Sequence, residues 1–139
     1  MKIYHMIFLV LILSGCSREK IIEQQQETLL MKAVTNGQWK VTSFMKGSTD
    51  ITIDFSSYKF QFKNDYTVDA INNGMVEKTG TWTAAGDMQA QSMTANFANS
   101  THPLVLLNGT WNIINTTWTT VQASMMNNSE IYTLKMEKQ

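Results

Sequence analysis

From residue 38 onward this chain is written in short segments of alternating polarity, broken by turn residues about every eight to twelve positions, and that rhythm leaves few architectures open. The clearest segment is Tyr58-Lys59-Phe60-Gln61-Phe62, with three aromatics on one face of a strand and polar residues on the other. Lys63-Asn64-Asp65 turns the chain and Tyr66 to Ile71 returns it. Asn72-Asn73-Gly74 is a hairpin signal, because Asn-Gly accepts the positive φ angles of a tight primed turn. Further strands are expected over Trp39 to Phe44, Met75 to Thr83, Met88 to Phe97, Thr110 to Ile114, Thr117 to Ser124 and Ile131 to Glu137, with a turn at Ala85-Gly86-Asp87. Ile51, Ile53 and Phe55 alternate as a short strand or an extended loop, and Leu104 to Leu107 is an apolar run cut off by Asn108-Gly109. About eight to ten strands of this kind make an antiparallel barrel or sandwich. The expected fold class is all-β, an antiparallel barrel of eight strands and up to ten. Closure removes exposed sheet edges and leaves an interior that is either filled by side chains or holds one small ligand.

Three Gly-x-Trp patterns punctuate the series: Gly37-Gln38-Trp39, Gly80-Thr81-Trp82 and Gly109-Thr110-Trp111. Each reads as a strand start. Upstream of the first, Ile22, Leu29, Leu30, Ala33 and Val34 fall on one helical stripe, and Asn36-Gly37 is a natural stop for a short N-terminal helix. That helix is either a plug across one barrel end or a spacer whose last turns pack on the domain.

The first residues carry an address. A basic start, Met1-Lys2, precedes the apolar run Met6 to Leu13. The run suits a signal-peptide core and falls far short of the ~20 residues that span a bilayer as a helix. Leu13-Ser14-Gly15-Cys16 resembles the lipobox of bacterial lipoproteins. The resemblance implies a signal peptide over residues 1–15 and a mature chain beginning at Cys16, which carries a thioether-linked diacylglycerol and an acyl group, such as palmitate, on its amine. Several chains anchor stably where one is marginal, each buried methylene contributing about 0.8 kcal/mol. Residues 16–28 then form a tether and the start of the helix, and residues 29–139 the barrel. The implied location is the cell envelope, lipid-anchored in the outer membrane of a Gram-negative bacterium. The alternative is an ordinary secretory signal with a chance cysteine.

The order of motifs over residues 29–138 is similar to that of lipocalin-like lipoproteins common in Bacteroidetes: Gly-x-Trp opening the domain, an aromatic strand with an Asp-containing turn (Tyr58 to Tyr66), a mid-chain Gly-Thr-Trp, and a closing strand ending near Leu134 to Lys138. Tyr66 stands where that family places a turn glycine, and no second cysteine is present for the disulfide of many lipocalins. The resemblance implies that Trp39 closes the barrel base and that the barrel binds a small apolar or amphipathic molecule. The candidate lining residues are Tyr58, Phe60, Phe62, Val68, Trp82, Trp111 and Tyr132. Ala70, Ala90, Ser92 and Ala95 leave room inside, whereas the aromatic strand fills space. The alternative function is a filled barrel that acts through its rim loops on an envelope protein.

Other chemistry finds little support. The formal net charge is zero, so there is no basic footprint for nucleic acid. A lone cysteine makes no internal disulfide. A hydrolase triad needs a histidine base; beyond the signal segment only His102 remains, beside Pro103 in an expected surface loop. No zinc-ligand spacing or phosphate-binding loop occurs. The ten methionines lack a repeated metal spacing and read as adaptable apolar filler. Asp65 reads as a turn residue, Asp69 and Glu77 as solvated strand positions, and Trp118, set among threonines, as outward-facing. Neither enzymatic activity, nor a cofactor, nor a metal site is expected.

Overall fold

A computed structural model of the chain describes residues 25, 29, 31–86 and 91–139. Among them run nine strands: β1 (Trp39–Lys46), β2 (Thr49–Asp50), β3 (Tyr58–Phe62), β4 (Thr67–Asn72), β5 (Met75–Gly86), β6 (Gln91–Asn96), β7 (Gly109–Thr116), β8 (Thr120–Asn127) and β9 (Glu130–Lys138). All neighbours pair antiparallel, and β9 returns to pair with β1 from Trp39↔Lys138 to Lys46↔Tyr132. The result is a closed eight-stranded antiparallel barrel, with β2 as a ninth strand hooked onto the end of β1. Bulges between Val41 and Ser43, Ala70 and Ile71, and Ile113 and Asn115 bend the sheet into a cylinder.

The alternating pattern sorts the two faces. Tyr58, Phe60, Phe62, Val68, Ala70, Trp82, Trp111, Ala123, Leu134 and Met136 are buried within, while Thr42, Lys59, Thr79, Thr81, Thr83, Thr110, Asn112 and Gln122 are exposed on the outside. A barrel that crosses lipid through its own strands has the opposite polarity, an apolar outer band. No described helix is long and apolar enough to cross a membrane. Among the described residues the buried core lies between Val34 and Met136, and the ladder closes between Trp39 and Lys138. Within residues 31–139 the described core residues pack as one cluster inside a closed sheet, as a segment that folds as a unit requires.

One join is made differently. β1 and β3 pair at the single position Trp39↔Phe60 and then diverge. The gap is filled by a 3-10 turn over Thr52–Phe55. The Phe44 N–H donates to the Thr52 hydroxyl at 2.9 Å, and the Ile51 N–H to the Phe44 carbonyl at 2.9 Å. The sequence reads this stretch as strand or extended loop, but the Asp50 carboxylate accepts from both the N–H (2.9 Å) and the hydroxyl (2.6 Å) of Thr52. Such a local side-chain turn outcompetes extension and swings Phe55 into the core. Leu104–Leu107 is likewise a 3-10 turn, burying Leu104 and Leu107.

Two Gly-x-Trp motifs begin strands, at Trp39 and Gly109; the third, expected as a strand start, lies inside the twelve-residue β5. Gly80 is there because a Cβ would come within 2.7 Å of the Phe97 ring and 2.6 Å of the Asn96 carbonyl oxygen. What the three share is the indole N–H. Trp39 donates to the Val34 carbonyl (2.8 Å), Trp82 to that of Lys63 (3.1 Å) and Trp111 to that of Leu107 (2.9 Å). Each buried ring thus ties a strand to a carbonyl outside the ladder.

The other turns largely follow the residues. Asn73 and Gly74 take φ of 48° and 82°, as an Asn-Gly hairpin should. At the Asp65 turn the carboxylate accepts from the Thr67 N–H (3.0 Å) and hydroxyl (2.6 Å), and Tyr66 adopts φ 64° without being glycine. Its ring rests 5.8 Å from that of Trp82, a contact that offsets backbone strain of about 1 kcal/mol. Ala85 and Gly86, expected in a turn, pair with Ser92 and Gln91. Thr117 to Thr119, expected in a strand, form the turn before β8.

Residues 31–35 are helical and end at Asn36-Gly37, where Gly37 takes φ 93°. Val34 is buried while Leu29 is 52% exposed, so the last turn packs against the Trp39 end of the barrel. The lipobox with Cys16, the helix positions Ile22 and Leu30, and Met88 to Ala90 lie outside the described residues.

Candidate functional site

The barrel has two unlike ends. The cap end gathers the Asn73-Gly74 and Asn128-Ser129 hairpins and the two 3-10 turns; the helix end gathers residues 31–35, the Asp65 turn, the β7–β8 turn and the C-terminus. Aromatic rings fill the cap half. Phe44 stacks on Phe55 (5.1 Å between centroids) and meets Trp111 edge-on (5.8 Å) and Tyr132 tilted (6.0 Å). Tyr58 bridges Phe55 (6.4 Å) and Phe60 (6.2 Å), and Phe60 reaches Phe97 (6.2 Å). Close aromatic pairs of this kind stabilise beyond their buried area.

The helix half is not filled. A cavity of about 50 Å³ lies inside the barrel, bordered by Phe60, Phe97, Leu107 and Trp111 toward the aromatic cluster and by Phe62, Val68, Leu134 and Met136. Half-buried Met93, Ile113 and Val121 line its outer part, toward the helix end. The space exists because Ala95 and Ala123 stand at inward positions of β6 and β8 that elsewhere carry rings. Only apolar atoms face it. An engineered cavity of ~150 Å³ takes benzene and drug-sized ligands need ~300 Å³ or more, so this slot fits a few methylene groups in a row and no ring system.

Of the residues expected to line a ligand site, Phe60, Phe62, Val68 and Trp111 do so. Tyr58 and Tyr132 belong to the aromatic cluster, and Trp82 packs edge-on against the far side of Phe62, 5.4 Å between centroids. The rest of the wall is aliphatic and methionine: Met93 and Met136 fill it as the adaptable apolar side chains the sequence suggests, and Ile113, Val121 and Leu134 stand outside the candidate set. The signal was present in the alternations Val121-x-Ala123-x-Met125 and Tyr132-x-Leu134-x-Met136. Of the small residues expected inside, Ala95 borders the slot, Ala70 is buried elsewhere, Ser92 is half-buried and Ala90 lies outside the described residues.

The polar clusters lie away from the slot. Asp69, expected on a solvated face, is instead only 8% exposed on the outside of β4, held by Lys63 Nζ (2.6 Å) and the Thr79 hydroxyl (2.7 Å). The Lys63 hydrogen bond, then that of Thr79, keeps its carboxyl below the ordinary aspartate value. Glu77 has no partner in the β4–β5 ladder at the Ala70–Ile71 bulge; its carboxylate accepts from the Tyr58 hydroxyl (2.9 and 3.0 Å) and from Asn72 Nδ2 (2.6 Å). Burial, then the Glu77 contact, raises the Tyr58 phenol above its usual value. His102 is exposed and pairs through Nε2 with Asp54 Oδ2 at 2.8 Å, linking the two cap-end loops.

The arrangement offers an apolar slot, and the polar groups serve the wall around it. Comparison with protein-family models, with curated proteins and with solved structures gave no match.

Proposed function

We propose that the protein is a lipid-anchored carrier of the lipocalin-like kind, in which the helix-end slot receives the tail of a slender apolar or amphipathic molecule. The observation that carries this reading is the slot itself: about 50 Å³ lined by carbon and sulfur alone, shaped by Ala95 and Ala123. Such a surface gains free energy by removing apolar area from water and offers no group for a reaction, so the role is binding and not catalysis. The segment Leu13-Ser14-Gly15-Cys16 supports lipidation at Cys16 and a place in the cell envelope, lipid-anchored in the outer membrane.

The test is native mass spectrometry on residues 17–139, purified without detergent from a Gram-negative host. An added mass lost on denaturation, and identified as an alkyl-chain compound in an organic extract, is the expected result. A clean apo mass, together with no binding of added alkyl amphiphiles, overturns it. The second reading would then stand: a barrel acting through protein contacts in the envelope, favoured by the rings that fill the cap half. For the anchor, Cys16→Ala is expected to release the processed protein from the membrane fraction.

A further inference from the structure

We infer that the helix end of the barrel docks on a neutral phospholipid surface through the β7–β8 turn, with Trp118 and Ile114 entering the bilayer interface. Of the four tryptophans, three are 1–3% exposed and hydrogen-bonded within the barrel, whereas Trp118 is 61% exposed at the tip of the turn. Ile114, at the bulge four residues earlier on the same hairpin, is 63% exposed.

The turn is built to hold its tip still. The Thr117 hydroxyl accepts from the N–H groups of Thr119 (3.2 Å) and Thr120 (3.0 Å) and shares a hydrogen with the Thr120 hydroxyl (2.7 Å). The Thr117 N–H donates to the Thr120 carbonyl (2.8 Å), and the Lys138 N–H to that of Thr119 (2.8 Å). A large apolar ring is thus presented to solvent on a rigid support, with little conformational entropy left to lose on docking.

Three features favour lipid as the occupant. The tip, Thr116-Thr117-Trp118-Thr119-Thr120, is uncharged. Two cations at this end are engaged, Lys138 on the Ala33 carbonyl and Lys63 on Asp69, while Lys32 and Lys40 sit on the helix and on β1, outside the tip. A neutral tip with one tryptophan suits the headgroup boundary, where indole rings concentrate, and itself carries no charge for anionic lipid. Second, the chain that precedes residue 31 joins the barrel at this same end, through the helix packed beside Trp39. Third, Ile113 and Val121, on the same hairpin, line the outer part of the slot. Docking there brings the opening to the bilayer, so that an apolar tail passes without crossing water. The exposed Met75, Val76, Met126 and Ile131 lie at the cap end, away from the helix, and none of them lines the slot.

The inference goes beyond the carrier reading and stands without a natural anchor, because the ladder closes and the described core packs within residues 31–139. Cys16 is the single cysteine of the chain, so a cysteine added before residue 31 couples that domain to maleimide-lipid vesicles of phosphatidylcholine at one point. Trp118 then serves as its own reporter, the other three rings being shielded. On coupling, acrylamide quenching of the exposed emission is expected to fall several-fold, and brominated acyl chains to quench it instead. Trp118→Phe removes that signal, and Ile114→Asn reduces the protection; neither residue is buried, so folding is retained and is checked by the emission of the buried rings. Coupling at the opposite end through Met126→Cys leaves Trp118 accessible to acrylamide. Trp118 equally accessible before and after N-terminal coupling overturns the inference. So does protection that appears only with anionic lipid and vanishes with salt, or protection that needs membrane protein and is absent with lipid alone.

Discussion

Lys138 lies over the ring of Trp39, with Nζ 5.0 Å from the ring centroid, and the same ammonium donates to the Ala33 carbonyl at 2.7 Å. The last strand, the first strand and the end of the helix thus meet on one side chain, at the point where the barrel closes. Lys138→Met keeps the stem and removes the charge. It is expected to lower stability in urea unfolding by about 1–2 kcal/mol, the sum of a cation–π contact and a charged hydrogen bond at a half-exposed site. Trp39→Ala is expected to cost about 3–5 kcal/mol, since the ring is 2% exposed.

Asp69 sets an acid limit. Its carboxyl is held below the ordinary 3.8 by Lys63 and Thr79, so the folded state binds its proton less readily than the unfolded state. The stabilisation is therefore fully present above pH 3.8 and is lost as pH falls through the lower folded value. Asp69→Asn is expected to lower stability at pH 7 and to flatten the decline below pH 4. Urea midpoints at both pH values measure this; a wild-type acid limb unchanged by the substitution would remove Asp69 from it.

The Asn128-Ser129 hairpin is the suboptimal copy of Asn73-Gly74. Ser129 takes φ 65°, a conformation that is costly for any residue with a Cβ. Ser129→Gly creates the preferred Asn-Gly turn and is expected to raise stability by about 0.5–1 kcal/mol, read as a higher unfolding midpoint. Tyr66→Gly relieves a similar strain but surrenders the ring contact with Trp82, and the expected net change is near zero.

Filling the slot separates binding from stability. Ala123→Val adds two methyl groups to a wall of the cavity. It is expected to raise stability by about 0.5–2 kcal/mol, as cavity-filling substitutions commonly do, and to abolish binding of alkyl amphiphiles in the mass measurement. A variant that is more stable yet still loaded would place the ligand elsewhere.

The barrel was legible because one signal, the period of two, runs through eight strands and is bracketed by residues with specific turn chemistry, such as Asn73-Gly74. Misread segments are those where a side chain overrides the alternation. Asp50 and Thr52 curl a stretch whose Ile51, Ile53 and Phe55 spacing alone says strand, and Thr117 turns a stretch read as β8. Gly80 sits in a strand interior for the sake of Phe97, seventeen positions on, a relation no local window holds. The candidate site was legible by half. Inward faces can be read from alternation, but depth along the barrel axis cannot, so Tyr58 and Tyr132 of the filled end were grouped with Phe62 and Val68 of the open one.

Seven of the eight joins of the cylinder are laddered by four or more residue pairs, and the join of β1 to β3 by one. Along that line the wall is buttoned rather than woven, and the button is the Thr52 hydroxyl on the Phe44 amide. Local opening is cheapest where main-chain pairing is thinnest. Amide exchange at Phe44 and Ile51 is therefore expected to outrun that of the β8–β9 ladder, and Thr52→Val to speed it further. The interior has a side door as well as a mouth, and the strength of its latch is set by a surface turn, not by the core.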